Sequence, residues 1–91
     1  MKIIPPELIY SIATRMLDTG AVSYEEIVDR DPILEKNITM WISKMVEYDI
    51  MASAETLLQS KKALYQTLCA EIYDSLQSDE KYPFERLRYP K

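Results

Sequence analysis

Four carboxylates in a short stretch, Glu25, Glu26, Asp29 and Asp31, and one thiol, Cys69, are the side chains whose types best suit chemistry. The carboxylates invite a cation. They lack the alternating ligand spacing and central glycine of a calcium loop, however, and read as helix-start and solvating charges. Cys69 has no flanking His and sits beside Leu68 and Ile72, so it reads as a small core residue rather than an activated nucleophile. The chain has no His, one Cys and one Gly, Gly20. These counts remove the commonest general base and metal ligand, any internal disulfide or zinc–thiolate cluster, and any glycine-rich phosphate loop. No catalytic residue, metal site or cofactor is expected, and the chain reads as non-enzymatic.

Net charge narrows the choice of partner. Eleven Lys and Arg against fifteen Asp and Glu leave a formal charge of −4, the opposite of the basic balance that nucleic acid selects. The acid is concentrated in residues 23–50, where Glu25, Glu26, Asp29, Asp31, Glu35, Glu47 and Asp49 stand against Arg30, Lys36 and Lys44. Residues 79–91 are mildly basic. With 91 residues, 47% hydrophobic and 29% charged, the chain has the size and composition of one soluble domain. Two prolines interrupt the opening Met1-Lys2-Ile3-Ile4-Pro5-Pro6, so no signal peptide is expected. No apolar run nears the ~20 residues of a membrane span. No membrane partner is expected, and the cytoplasm is the expected compartment.

Apolar spacing indicates the elements that must hold these side chains. Leu8, Ile9, Ile12, Ala13, Met16 and Leu17 share one helical face from Pro6 to Asp18, with Pro6 in the first turn and Gly20 as a left-handed stop. Ser23 and Glu26 are spaced as a capping box for a short helix ending near Arg30. Asp31-Pro32 reads as the N-cap and first position of a third helix reaching Tyr48-Asp49, with Leu34, Ile38, Trp41, Ile42, Met45 and Val46 as its stripe. After a connector, a long fourth helix runs from Ala54 to Gln77 with Ser53 as its cap. Strand signals are weak, limited to short pairing around Ala21-Val22 and Ile50-Met51. The expected fold class is therefore all-α. It comprises a three-helix unit over 1–53, a long C-terminal helix over 54–77 and an extended or flexible tail over 78–91, in a single domain.

The run Gly20-Ala21-Val22-Ser23-Tyr24-Glu25-Glu26-Ile27 is followed by Ile38-Thr39-Met40-Trp41-Ile42-Ser43-Lys44-Met45-Val46-Glu47-Tyr48-Asp49-Ile50. Together they resemble the helix-turn-helix of winged-helix DNA-binding domains, in which a capped short helix braces a recognition helix. Asp49 stands where that family usually carries Gly. Residues 51–60 lack the glycine and basic residues of a wing, so the wing is expected to be absent or reduced. The resemblance implies that Lys36, Asn37, Thr39, Met40, Ser43 and Lys44 form one exposed face for duplex DNA. Asn37 would meet an adenine edge, and Lys36 or Lys44 guanine or phosphate. The same six residues equally suit the solvated side of an amphipathic helix.

Leu57, Leu64, Tyr65, Leu68, Ile72, Tyr73 and Leu76, with Leu58, make a band wider than a coiled-coil seam. One side is expected to pack internally and the other on a second copy, giving a homodimer. Arg86 and Arg88, among Tyr82, Phe84 and Tyr89, form a tail suited to contact DNA or a protein. Two functions are expected on these grounds. The first is a small transcription-regulatory dimer that binds DNA. The second is an acidic helical adaptor or inhibitor that binds a protein and no nucleic acid.

Overall fold

Strand rather than helix fills the middle of the chain. The computed structural model describes residues 3–78. Helix α1 (Pro6–Thr19) leads into three strands, β1 (Val22–Asp31), β2 (Lys36–Met45) and β3 (Ile50–Ala54), and α2 (Leu57–Gln77) follows. The strands form one antiparallel sheet in the order β1-β2-β3. The fold is α+β, and the all-α expectation is corrected. The segments read as a capped short helix and a recognition helix are the two long strands of a hairpin.

The side chains explain the difference. β2 is apolar on both faces, with Ile38, Met40 and Ile42 on one and Trp41 and Met45 on the other. Such a strand also satisfies the i, i+3, i+4 spacing of a helix. Its β-branched Ile38, Thr39 and Ile42, like Val22, Ile27 and Val28 of β1, fit a pleated strand better than a helical turn. No glycine marks the hairpin loops at 32–35 and 46–49. The left-handed positions fall instead on Glu35 (φ 52°) and Asp49 (φ 53°). Asp31 Oδ1 accepts hydrogen bonds from the backbone N–H of Ile33 (2.8 Å) and Leu34 (3.1 Å). The acceptor chemistry that reads as a helix N-cap here closes a hairpin loop, because an aspartate serves both turns alike.

Both observed helices have ordinary local causes. α1 starts with Pro6 in its first turn, where the missing N–H costs no hydrogen bond. It ends at Gly20, which is extended (φ −89°, ψ 163°) rather than left-handed, and whose N–H donates to the Met16 carbonyl at 2.8 Å. α2 is capped by Thr56, whose Oγ1 accepts from the Gln59 N–H at 3.1 Å. The helix therefore begins beyond Ser53, which stays in β3.

α2 packs on β2 and β3, and α1 packs on α2. The core brings together Ala13 and Met16 of α1, Met45 of β2, Ile50 of β3 and Leu64, Leu68 and Ile72 of α2. Each of the larger side chains contributes about 1.5–3 kcal/mol by leaving water. A buried hydrogen bond of 2.7 Å between Ser43 Oγ and Ser60 Oγ ties the sheet to α2, and the Tyr10 and Tyr65 rings stack between the helices at 6.3 Å. Leu64, Leu68 and Ile72, expected at an interface between copies, are thus enclosed within a single chain. Of the other expected interface residues, Leu57, Tyr65 and Leu76 are half-buried and Tyr73 is exposed.

Candidate docking surface

Strand register sets the geometry of the site. β1 and β2 pair along their whole length, from Val22 opposite Met45 to Asp31 opposite Lys36. β3 reaches only Trp41–Met45 of β2. At ~3.4 Å per residue the hairpin is about 34 Å long and β3 flanks about half of it. The outer half, Ile27–Asp31 with Lys36–Met40, projects past β3 as a two-stranded arm. The elongated outline, 50 × 24 × 22 Å, agrees with this.

Alternation along the pleat gives the sheet two unlike faces. The inner face carries Tyr24, Trp41, Ser43, Met45 and Ile50 and meets α2, where Lys61 Nζ lies 4.8 Å from the centre of the Tyr24 ring. The outer face carries Ile27 and Met40 directly opposite one another, Ile38 and Ile42 beside Met40 along β2, and Met51 on β3. Among the described residues no helix packs on this outer face. Ile27, Ile38 and Met40 keep 39–42% of their surface in water. With Asp29 they line a shallow depression of about 370 Å³. At the hairpin tip Ile33 is 88% exposed. Antiparallel sheets that face water on one side usually put polar groups there. A contiguous apolar patch instead marks a surface that another molecule covers.

The patch has an acidic border. Glu25, Asp29 and Asp31 of β1 point to the outer face beside it, and Glu26 to the inner. All four belong to an edge strand, since among the described residues β1 has β2 on one side and no strand on the other. The carboxylates that suggest a cation are strung along this edge, and among the described residues no group of three or more His, Cys, Asp or Glu is placed to hold a metal ion.

The residues assigned to DNA do not share a face. A helix would gather them, but a strand alternates them. Lys36, Met40 and Lys44 lie on the outer face, whereas Asn37, Thr39 and Ser43 lie on the inner. Ser43 is fully buried and bonded to Ser60, and Lys44 Nζ pairs with Asp49 Oδ1 at 3.3 Å. Arg86 and Arg88 lie outside the described residues. Cys69 is half-buried, and burial pushes its thiol above the usual value against the opposing effect of a hydrogen bond with Tyr65. Little thiolate therefore forms at neutral pH.

Sequence reasoning missed the patch residues Ile27, Ile38, Ile42 and Met51 as a surface. A signal was present in residue type rather than in spacing, since Val22, Tyr24, Ile27 and Val28 of β1 and Ile38, Thr39, Trp41 and Ile42 of β2 are β-branched or aromatic. Comparison of the chain with known protein families, with curated proteins and with solved structures finds no match. Among the described residues, no helix is long and apolar enough to cross a membrane.

Proposed function

We propose that this protein is a non-catalytic docking module whose projecting hairpin arm binds a basic partner protein. The observation that carries this reading is the apolar outer face at Ile27, Ile38 and Met40, left in water on an arm that β3 does not reach. Burying it would stabilise a complex by removing apolar surface from water. The partner's charge is read from β1, where Glu25, Glu26, Asp29 and Asp31 stand against Arg30. Complementary charge steers encounter and rejects acidic competitors.

The duplex-DNA reading draws on a single polar face that β2 splits in two. Two lysines, one paired with Asp49, offer little of the phosphate neutralisation that binding DNA requires. A photo-reactive amino acid placed at Met40, with a control at the exposed Thr14 of α1, tests the docking reading in cells of the source organism. The expected result is one discrete protein adduct from position 40, none from position 14, and loss of the adduct when Ile27→Ser and Ile38→Ser are added. A nucleic-acid adduct, equal adducts from both positions or no adduct at position 40 would overturn it.

A further inference from the structure

We infer that the free edge of β1 accepts an extended basic segment of a different chain as a fourth strand of the sheet, and that its acids bar the same edge from pairing with a second copy. The inference rests on the docking reading above and specifies the partner's chemistry and mode of attachment.

An edge strand presents unpaired backbone N–H and C=O groups along its length, a ready template for another strand. β1 offers ten residues of such an edge, from Val22 to Asp31. All but the two end residues are exposed.

Charge decides which strand can use it. In antiparallel pairing, residues directly opposite one another share a face. Opposed residues from two copies of β1 must therefore both come from the outer-face set or both from the inner-face set. Sliding β1 along an antiparallel copy of itself, every register that pairs more than half of the strand sets two acids opposite each other. The clashes are Glu25 on Glu25, Glu26 on Glu26, Glu25 on Asp29 and Glu25 on Asp31 as the register advances. Like charges directly opposite destabilise a strand pair, and edge charges are a recognised guard against self-association.

A strand alternating basic and apolar residues meets the opposite situation. Its basic side chains lie across from Glu25, Asp29 and Asp31 on the outer face, and its apolar ones across from Tyr24 and Val28 on the inner face. Its outer-face stems extend beside Ile27, at the border of the apolar patch. The patch and the edge together thus favour one occupant, a basic extended segment of a partner protein.

The probe is a blocked peptide of about nine residues alternating Lys and Val, within ordinary strand length. Its comparator carries Glu in place of Lys. Amide hydrogen exchange of the full chain is read by NMR at low salt. The Lys peptide is expected to slow exchange at edge-facing amides of Val22–Asp31 by about tenfold or more, and the Glu peptide is expected to leave them unchanged. Raising salt to ~1 M should remove most of the protection. Glu25→Lys with Asp29→Lys should reverse the preference between peptides, and Glu25→Gln with Asp29→Asn should erase it.

Equal protection by both peptides, protection centred on β3 or the helices, or contacts between β1 strands of two wild-type copies would overturn the inference. If position 40 captures a protein as described above and β1 gains no protection from the Lys peptide, the docking reading stands and the strand-addition inference falls.

Discussion

Leu68→Asp is expected to leave a chain that does not fold at 25 °C, whereas Tyr73→Asp, about a turn and a half further along α2, folds normally. Leu68 has no exposed surface and sits in the cluster joining α1, α2 and the sheet. A carboxylate there must either lose its hydration or bind a proton against its normal tendency, and the leucine volume is left partly empty. These effects together cost several kcal/mol, in a domain whose whole stability is of order 5–10 kcal/mol. Leu68→Ala, which adds no charge, should cost about 2–5 kcal/mol, read as a fall in the urea midpoint with an unchanged slope. Tyr73 is 41% exposed, so a polar replacement disturbs little. A folded Leu68→Asp protein of half the wild-type mass would instead place this residue between two copies.

Gly20→Ala is expected to destabilise by about 1–3 kcal/mol, the usual scale for overpacking a tight site. Its backbone (φ −89°, ψ 163°) is open to any residue, so conformational strain is not the cause. An added Cβ would stand 2.7 Å from the Met16 carbonyl oxygen and 3.3 Å from Met45 Cε. The methionine methyl can swing away. The carbonyl cannot, because it accepts the Gly20 N–H that closes the last turn of α1. One residue on, the Ala21 carbonyl accepts from the Val46 N–H at 3.0 Å, fixing this joint to the end of the sheet. The close approach therefore loosens the seam between α1 and β2. A Gly→Ala change without such contact stabilises a protein by ~0.4–1 kcal/mol through the unfolded chain. A rise in the urea midpoint would mean that the joint relaxes freely.

The helices were legible because their apolar residues recur on one side only. Ile9, Ile12, Ala13 and Met16 mark α1, and Leu64, Leu68 and Ile72 mark α2, with ends within about three residues of those observed. The hairpin was not, for three physical reasons. β2 is apolar on both faces, which removes the period of two that identifies a strand. Its loops adopt left-handed backbone at Glu35 and Asp49 rather than at glycine. Asp31 and Ser23 offer side-chain acceptors that suit a helix start as well as a turn or an exposed strand.

Misreading the element also moved the site. Lys36, Asn37, Thr39, Met40, Ser43 and Lys44 make one surface only if they lie on a helix, and the pleat divides them between an outer face and an inner one, where Ser43 is buried and Asn37 exposed. The acids of residues 23–31 were visible as a charge concentration, but their alignment along one edge depends on pairing partners as far away as Ile42 for Glu25 and Trp41 for Glu26, which local spacing does not encode.

Through-space proton contacts measured by NMR on the full chain test most directly whether residues 22–45 form a hairpin whose outer half stands clear of the helices. The predicted result is cross-strand contact between Ile27 and Met40, Val28 and Thr39, and Asp29 and Ile38, with no contact from the outer-face side chains of Ile27, Asp29, Ile38 and Met40 to α1 or α2. Successive amide–amide and i, i+3 contacts along Lys36–Met45, the signature of a helix, would contradict the account. So would contacts folding the arm back onto α1 or α2.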